Sequence, residues 1–426
     1  MLMSTCGIIA EYNPFHTGHA YQIAQAKKQS GADNVIVIMS GDFVQRGAPA
    51  IMDKYERAKM AIHAGADLVI MLPVCASTAS AEGFALASIA GLHSCGIVDA
   101  ISFGCEDPAV VGSNFRTLAR ELNTPTPAFH EVLSAGLRAG KSYASAHAQA
   151  IQSCYASLLA PDELDLLEKP NNLLAFSYLQ AMEQLNCNFS IHPVTRQGMG
   201  YHETACESET IYASASACRK LMLSDDVSDH MTLQHLYSKE DFLSLLSYRK
   251  SYAFLCKNDA STQLHYALLS GRMEGYRTIM DCGKDLSNRI QNLLPEYEDF
   301  EQFAMLLKNK SVSYSRICRL LTHILLQLPD REIYPLIEDS SLPYVRILAM
   351  SPAGQKLLGQ IKRSGNAPLL MKMSDTGEFS PRALHYFKQD LFAHEIYNSI
   401  LYSTCRHKLP EDFSRRLSPI RFSNND

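Results

Sequence analysis

The chain is organised around the stretch Gly7-Ile-Ile-Ala-Glu-Tyr-Asn-Pro-Phe-His-Thr-Gly-His19. Ser4 to Ala10 is short, apolar and bounded by turn formers, which predicts a buried strand that Tyr12-Asn13-Pro14 must end. A helical pattern from Tyr21 to Gln29 follows directly. The stretch therefore predicts a strand, a turn and a helix in immediate succession.

Two histidines lie between the predicted strand and the predicted helix. His16 and His19 are three residues apart, with Gly18 between them. The amino end of a helix attracts anions through unpaired N–H groups and the helix dipole, and a glycine lets a phosphate approach the backbone. Two imidazoles there suit a polyphosphate whose charge develops in a transition state. The plainer alternative is that one ring packs and the other caps the helix.

The composition is that of an ordinary globular protein. The 426 residues favour two domains, and the hydrophobic share of 46% with 19% charged residues argues against long disorder. The net charge of -5 argues against a uniformly basic nucleic-acid-binding surface but allows a local basic patch.

The cysteines and the amino terminus indicate the compartment. Twelve cysteines are scattered without any C-x-x-C pair, which favours free thiols in a reducing cytoplasm over a zinc site or a disulfide framework. A basic segment followed by an apolar run is missing at the start, and no stretch approaches the roughly 20 apolar residues that span a bilayer. We expect a cytoplasmic protein with no membrane segment, and we assign no metal ligands.

Alternating strand and helix patterns predict the fold class. They indicate an α/β fold with a doubly wound, parallel, five-stranded sheet, followed by a mainly α-helical part. We place the catalytic domain at residues 1–228, with a helical insertion at 112–168, and the helical domain at 229–426. The five predicted strands are Ser4 to Ala10, Asn34 to Met39, Asp67 to Pro73, Val98 to Gly104 and Asn188 to Val194.

Loops that follow these strands carry candidate contact residues, because ligands bind at the carboxyl edge of such sheets. Gln45 and Arg46 lie in the loop after the second strand and are either substrate contacts or parts of a solvated loop. Gly104 lies where the fourth predicted strand ends, and a glycine there suits the close approach of a nucleotide. The helix from Asp53 to Ile62 is expected to turn its charged side chains outward.

A second stretch with side chains that could bind phosphates precedes the predicted domain boundary. Ser214 and Ser216 come before the helix that carries Arg219, so hydroxyls and a guanidinium could face phosphates together. A capped helix with a surface arginine is the alternative. The second half also has basic residues among apolar ones, which fit either a phosphate-binding face or solvated helix faces: Arg316, Arg319, His323, Arg346, Lys356, Lys362, Arg363 and Lys372.

Several segments, in order, closely resemble the bacterial tRNA(Met) cytidine acetate ligase family, whose HUP-like nucleotidyltransferase fold carries an H-x-G-H motif. They are the opening stretch, Ser40-Gly-Asp-Phe-Val-Gln-Arg-Gly47, Gly65-Ala-Asp-Leu-Val-Ile70, Pro170-Asn-Asn172, Pro193-Val-Thr-Arg-Gln-Gly198, Ala213-Ser-Ala-Ser216 with Arg219 and, more weakly, Leu342-Pro-Tyr-Val-Arg-Ile347. The resemblance implies an enzyme that uses ATP to form acetyl-adenylate and transfers acetyl to N4 of the wobble cytidine of elongator tRNA(Met). A small-molecule adenylyltransferase and a non-catalytic tRNA-binding protein remain the alternatives.

The resemblance also implies which residues form the site. His16, His19, Ser216 and Arg219 would be catalytic, and ATP, accompanied by Mg²⁺, would be a substrate. Where the family usually has Glu before Leu-Pro, this chain has Met71. An asparagine such as Asn171 would otherwise be only a helix cap. The implied ATP contacts are Gly7, Ile8, Ile9, Ala10, Glu11, Tyr12, Asn13, Pro14, Phe15, His16, Thr17, Gly18, His19, Ala20, Gly104, Asn171 and Arg196.

Overall fold

The centre of the molecule is a sheet built from both halves of the chain. The computed structural model describes residues 4–141, 143–159, 161–167, 169–195, 213–224, 226–310 and 312–421. The strands in these ranges are β1 (Thr5–Ala10), β2 (Asn34–Ser40), β3 (Phe43–Val44), β4 (Ala48–Pro49), β5 (Leu68–Leu72), β6 (Ala100–Cys105), β7 (Ser190–Thr195), β8 (Val345–Met350) and β9 (Leu369–Leu370).

Helices surround the sheet. The α-helices are α1 (Thr17–Ser30), α2 (Lys54–His63), α3 (Val74–Ser77), α4 (Ala81–Ser94), α5 (Ser113–Glu121), α6 (Pro127–Arg138), α7 (Tyr143–Tyr155), α8 (Pro161–Leu166), α9 (Pro170–Gln184), α10 (Ala215–Met222), α11 (Val227–Gln234), α12 (Lys239–Ser251), α13 (Ser261–Gly271), α14 (Lys284–Leu293), α15 (Phe300–Leu307), α16 (Tyr314–Leu325), α17 (Ile333–Leu336), α18 (Pro352–Ser364) and α19 (Pro381–Cys405). Short 3₁₀ helices occur at Pro108–Val111, Lys257–Ala260, Leu294–Glu296 and Met373–Glu378. Among these helices, none combines the length and the apolar composition that crossing a membrane requires.

The strand order confirms the predicted α/β sheet and extends it. In the order β7-β6-β1-β2-β5-β8-β9, the first five strands are parallel to one another. Strand β8 pairs antiparallel with β5, and β9 pairs parallel with β8. The sheet therefore has seven strands, so the predicted number of five was wrong. The apolar run of β8 is too short for sequence periodicity to separate a strand from a buried helix segment.

The core lies where the sheet is covered on both faces. Every residue of β2 and of β5 is buried, as expected for central parallel strands. Helix α4 approaches β2 closely, because an added Cβ at Gly91 would lie 2.3 Å from the Ile38 Cδ1. The small residues of this helix thus allow tight packing. The cysteines in the described part of the chain are free thiols.

The two halves of the chain meet at a hairpin formed by β3 and β4. Gly47 in its turn has φ +70°, and an added Cβ would lie 2.2 Å from the carbonyl carbon of Cys318 in α16. Only glycine allows this conformation and this close approach without strain. The division into domains at residue 228 stays a prediction.

A fully buried group of charges joins the second half to the sheet. Lys54 Nζ lies 2.6 Å from Asp42 and 2.8 Å from Asp412, and Arg346 Nη2 lies 2.7 Å from Asp412. His394 of α19 lies 3.1 Å from Asp42. The expectation that α2 turns its charges outward was therefore wrong, because Lys54 is completely buried. Its partners come from distant parts of the chain, which a local pattern cannot reveal.

The surrounding cations determine the charge of both carboxylates. Burial alone would raise the pKa of Asp412, but Lys54 and Arg346 outweigh it and hold that pKa well below its usual range. Burial is likewise outweighed at Asp42, whose pKa is lowered chiefly by Lys54 and then by His394. Both groups are therefore carboxylates in the folded protein, and they balance the two buried cations.

We predict that Asp412→Asn lowers the free energy of unfolding at neutral pH by about 3–5 kcal/mol, since it leaves buried cations without their counter-charge. Because the folded pKa of Asp412 lies below the unfolded value of about 3.9, its stabilisation is present above that pH and is lost as pH falls through it. The decrease in the free energy of unfolding on going to acid pH should therefore be smaller in the variant. Urea unfolding at a series of pH values measures both effects. Glu411→Gln, at the exposed neighbouring residue, is the control, and equal losses in the two variants would contradict the prediction.

Candidate active site

The loop between β1 and α1 places the first histidine at the helix end. Tyr12 has φ +47° and the Asn13–Pro14 peptide bond is cis, so the chain leaves the strand as the sequence predicts. His16 then caps α1, because its Nδ1 accepts a hydrogen bond from the Gly18 N–H at 3.1 Å. In the neutral ring the proton must lie on Nε2, which makes that nitrogen a donor. Capping and donation are therefore combined in one side chain.

The second histidine lies directly beside the first. The ring centroids of His16 and His19 are 3.8 Å apart, with 31° between the ring planes. Behind them, Tyr12 lies 4.8 Å and Phe15 5.6 Å from the His19 ring. Both supporting rings are buried, so they restrict the orientation of His19. The alternative that one histidine only caps the helix is correct for His16. It does not account for the close pairing of the two imidazoles.

The backbone N–H groups at the start of α1 already have acceptors. Thr17 donates to the Leu236 carbonyl at 3.0 Å, and Gly18 donates to the His16 ring. The next two N–H groups donate to the His16 carbonyl at 2.8 and 3.2 Å. The expectation of unpaired N–H groups at this helix end was therefore wrong. An anion here would meet side chains and the helix dipole rather than unoccupied amides.

Asn13 links this loop to the second predicted stretch. Arg219 Nη1 donates to the Asn13 carbonyl at 2.5 Å, and Nη2 donates to the Ser216 hydroxyl at 2.9 Å. The Asn13 side chain accepts from the Ile51 N–H at 2.8 Å. Ser214 is the residue that caps α10. The structure thus brings Ser216 and Arg219 to the histidine loop. The capping of α10 is the role of a different residue, Ser214.

Glu11 connects the loop after β2 to the end of β1. Its Oε1 accepts from the Gln45 N–H at 2.7 Å. Burial raises the pKa of Glu11, while this hydrogen bond and the cations Arg46, Arg219 and Arg57 oppose the rise. The loop is therefore held through the Gln45 backbone, while the Arg46 side chain is exposed. Positive charge surrounds the end of β1.

Arg57 is a central residue that sequence analysis missed. Its guanidinium is fully buried and donates to four backbone carbonyls, those of Met52 at 3.1 Å, Glu11 at 2.7 Å, Ser40 at 3.1 Å and Gly41. It thereby holds the ends of β1 and β2 in fixed relation. Burial lowers the pKa of Arg57. Since α2 carries several charged residues, the local sequence has no signal that singles this one out.

The end of β6 and the start of α9 hold each other. Glu106 accepts from the Asn171 side chain at 2.5 Å and from the Asn172 N–H at 2.8 Å. In return, the fully buried Asn172 accepts from the Glu106 and Asp107 N–H groups at 2.9 and 3.1 Å. A carboxylate thus caps this helix, and the capping role suggested for an asparagine was wrong.

The remaining predicted contact residues fall into different environments. Gly7 lies within β1, where an added Cβ would be 2.7 Å from Leu92 Cδ1, so packing alone accounts for this glycine. Gly104 lies inside β6, opposite Val194, rather than beyond the strand. Arg196 lies outside the described residues. Ile8, Ile9, Tyr12 and Phe15 are buried. The partly exposed members of the stretch are Ala10, Glu11, Thr17, Gly18, His19 and Ala20.

Met71 and two of the basic residues singled out in the second half are buried. Met71 is buried and pairs directly with Arg346 across β5 and β8, so the two side chains share a face of the sheet. Arg346 and His323 are also buried, and a phosphate-binding surface that includes them was therefore a wrong expectation. Among the described residues, no group of three His, Cys, Asp or Glu side chains is placed to hold a metal ion.

Comparisons with known proteins show which proteins the chain is similar to. The family model of the HIGH nucleotidyl transferases matches residues 3–412. The chain is 33% identical over 397 residues to the tRNA(Met) cytidine acetate ligase of Thermoanaerobacter sp. (strain X514), covering 93% of this chain and 95% of that protein. It is 30% identical over 429 residues to the enzyme of the same name from Bacillus subtilis (strain 168), covering 100% and 99%.

Solved structures share the fold. The crystal structure of Thermotoga maritima TmcAL bound with alpha-thio ATP superposes with a TM-score of 0.86 at 24% sequence identity, covering 99% of this chain and all of that one. The apo form of the same protein has a TM-score of 0.87 at 24% identity, with 97% and 99% coverage. The seven-stranded architecture therefore has close structural relatives along its whole length.

We predict that Arg57→Lys destabilises the protein, because one ammonium group with three N–H donors cannot serve four separated carbonyls. Each carbonyl left unpaired should lower the free energy of unfolding by about 1–3 kcal/mol. Urea unfolding measures the loss. The converse exchange Lys59→Arg, at a partly exposed position of the same helix, is the control. An Arg57→Lys variant as stable as the control would show that the carbonyl contacts contribute little.

Proposed function

The chain belongs to the HIGH nucleotidyl transferase family and, within it, to the tRNA(Met) cytidine acetate ligases, and from this premise we propose how its site works. The enzyme uses ATP to activate acetate as acetyl-adenylate and transfers the acetyl group to N4 of the wobble cytidine of elongator tRNA(Met). The observation that carries the mechanism is the convergence of His16, His19, Ser216 and Arg219 on the loop after β1. This is the sheet edge at which such folds bind ligands.

In the first step, an acetate oxygen attacks the α-phosphorus of ATP. The bond from that phosphorus to the bridging oxygen breaks, and pyrophosphate leaves with the electron pair. Because acetate is already an anion, the step needs no general base. The requirement is instead to stabilise negative charge on the phosphates as it moves toward the leaving group. Side chains with fixed N–H donors meet that requirement without reorganising during the reaction.

His16 and His19 supply part of this stabilisation. The Nδ1 of His16 is occupied by the Gly18 N–H, which leaves Nε2 as the nitrogen that donates to the α-phosphate. His19, 3.8 Å away between ring centroids, addresses the same group or the leaving pyrophosphate. Since the first backbone amides of α1 already have acceptors, the imidazoles carry the role that these amides would otherwise play.

Arg219 and Ser216 hold the other end of the nucleotide's phosphate chain. The guanidinium has five N–H donors in one plane, and its bonds to Asn13 and Ser216 fix that plane beside the histidine loop. A guanidinium fixed in this way suits bidentate contact with phosphate oxygens. Arg196, which follows β7 in the sequence and lies outside the described residues, is proposed as an ATP contact, and Asn171 and Gly104 are proposed as contacts at the end of β6.

In the second step, the exocyclic amine of cytidine attacks the carbonyl carbon of acetyl-adenylate. The new bond joins N4 to that carbon, the bond from the carbon to the phosphate oxygen breaks, and AMP leaves as N4 gives up one proton. The wobble base must leave the anticodon stack to reach the carbonyl, as is usual in sequence-specific recognition of RNA loops.

Mg²⁺ is proposed to accompany ATP as its phosphate complex. Since the described residues include no group of three metal-ligating side chains, phosphate oxygens and water would supply most of its ligands, which suits the coordination of this ion.

We predict that the protein with ATP, Mg²⁺ and isotopically labelled acetate introduces one labelled acetyl group into elongator tRNA(Met), detectable by mass spectrometry. His16→Asn should lower this rate by about 10²–10³-fold, the usual effect of removing one transition-state donor. Asparagine is a good helix cap, so the variant keeps that function and loses only the imidazole donor. His130→Ala, at an exposed position of α6, is the control and should keep the wild-type rate.

Three results would contradict the proposal or one of its parts. Absence of label on tRNA(Met) with the wild-type protein would reject the ligase function, and exchange of pyrophosphate into ATP driven by a phosphorylated acceptor instead of acetate would favour a small-molecule adenylyltransferase. Unchanged acetylation by His16→Asn would reject the role of the histidine while leaving the overall reaction intact.

A further inference from the structure

The carboxylate of Glu106 holds the start of α9 with three hydrogen bonds. Its Oε2 accepts from the Asn172 N–H at 2.8 Å, and its Oε1 accepts from the Asn171 N–H at 3.3 Å and from the Asn171 side chain at 2.5 Å. Two of these bonds satisfy backbone N–H groups of the first helical turn, which have no partner inside the helix. The third goes to a side chain and adds nothing to the capping, so it needs a separate explanation.

The start of α9 has a fixed position against the end of β6. The fully buried Asn172 returns the contact, because its Oδ1 accepts from the Glu106 N–H at 2.9 Å and from the Asp107 N–H at 3.1 Å. Further along the helix, the buried rings of Tyr178 and Phe103 lie 5.0 Å apart between their centroids. The helix is therefore joined to the strand at two levels, and the Glu106 carboxylate is held with it.

This carboxylate determines which way the Asn171 amide faces. A carboxylate has only acceptors, whereas a side-chain amide has an NH₂ group that donates and an oxygen that accepts. The NH₂ group must therefore face Glu106, and the oxygen Oδ1 is the atom that remains for another partner. The Asn171 side chain is only half-buried, and within the described ranges no group donates to this oxygen. A ligand can supply the missing donor.

Asn171 is held at the sheet edge where the nucleotide is proposed to bind. Strands β1 and β6 are parallel neighbours, so they end at the same edge, and ligands bind at this edge in such folds. The histidine loop begins where β1 ends, at Ala10, and Glu106 follows β6 directly, at Cys105. Glu106 thus places Asn171 at the end of the strand that neighbours the histidine loop.

An oxygen that only accepts can bind only part of ATP. The phosphate groups are anions rich in acceptors, so they do not suit it. The hydrogen-bond donors of ATP are the 6-amino group of adenine and the two ribose hydroxyls, and all three belong to the adenosine part. With the opposite orientation, the NH₂ group of Asn171 would suit the phosphates instead. The orientation imposed by Glu106 therefore decides which part of the nucleotide Asn171 can hold.

We propose that Glu106 is a positioning residue, which orients Asn171 so that the Asn171 side-chain oxygen accepts a hydrogen bond from the adenosine part of ATP. This inference rests on the proposed function, because it assigns one part of the same nucleotide to this contact. The phosphates lie at the histidine loop, and the adenosine lies along the end of β6. A triphosphate that lacks the donor is bound less tightly, so the contact contributes to the selection of ATP.

The test compares ATP with three analogues that each lack one donor. Purine riboside triphosphate lacks the 6-amino group, and 2′-deoxy-ATP and 3′-deoxy-ATP each lack one hydroxyl. Calorimetry measures the Kd of each nucleotide without acetate or RNA. At least one analogue should bind the wild type about 2- to 13-fold more weakly than ATP, the usual net effect of one hydrogen bond. In Asn171→Ala this preference should shrink by the same factor, and the analogue concerned identifies the donor.

Two further variants test the role of Glu106. In Glu106→Gln the new side chain can present either an oxygen or an NH₂ group to Asn171, so the preference for ATP should shrink as it does in Asn171→Ala. The double variant Glu106→Gln with Asn171→Asp exchanges the carboxylate and the amide. The NH₂ group of the new glutamine then faces the aspartate, and the second aspartate oxygen still accepts from the nucleoside. The preference should return in this variant.

A control separates this role from general damage to α9. Glu183→Gln removes a carboxylate near the other end of the helix, where it lies 3.1 Å from Arg120, and should keep the wild-type preference for ATP. Urea unfolding of every variant measures the accompanying change in stability. If capping were the only role of Glu106, Glu106→Gln would lower stability and keep the preference among nucleotides.

The outcomes distinguish the inference from the function on which it rests. An equal preference in the wild type and in Asn171→Ala overturns the contact with adenosine, and an unchanged preference in Glu106→Gln overturns the positioning role. Both results leave the proposed function standing if the wild type exchanges pyrophosphate into ATP only with acetate. Absence of that exchange, with the preference for ATP intact, overturns the ligase reaction and leaves the contact in place.

Discussion

The buried guanidinium of Arg57 collects four backbone carbonyls at the edge where the parallel strands end. Strand ends at such an edge present carbonyl oxygens that have no further strand partner, and leaving them unpaired inside the protein would be costly. A lysine has only three N–H donors on one nitrogen, too few for four separated carbonyls, and a neutral donor would carry no positive charge. Arg57 thus satisfies these groups and adds a cation beneath the loop that carries the histidines. Through the carbonyls of Glu11, Ser40 and Gly41, Arg57 connects the end of β1 with the end of β2.

The second half of the chain is joined to the sheet by buried charges that are paired with one another. Lys54 and Arg346 are paired with Asp42 and Asp412, so that two positive and two negative charges lie together without water. Such a group contributes little net stability compared with apolar packing, but losing one member is costly. The group favours one arrangement of the fold, because its charges are paired only when α2, β8 and the segment after α19 lie next to one another. This explains how β8, far along the chain, is added to a sheet built by the first half.

Sequence patterns were sufficient where the physical cause is local. Continuous apolar runs predict buried parallel strands, and Tyr12-Asn13-Pro14 predicts the turn before α1. The meeting of Arg219 with the first loop was implied by the resemblance, which placed both in one site. The buried state of Lys54 and Arg57 and the capping of α9 by Glu106 could not be predicted, because each requires a partner distant in sequence. Strand β8 was missed because an apolar run between helical patterns has no period that excludes a helix.

The distribution of charge also explains how an acidic chain can bind a polyphosphate. With a net charge of -5, the protein as a whole does not attract a polyanion, so long-range steering contributes little to association. Several of its cations are withdrawn from the surface, among them Arg57, Lys54 and Arg346, and the buried aspartates neutralise the latter two. At the end of β1, by contrast, the cations Arg46, Arg219 and Arg57 all act on Glu11. Attraction of phosphates is therefore a short-range property of this one region, where the histidines also lie, rather than a property of the whole surface.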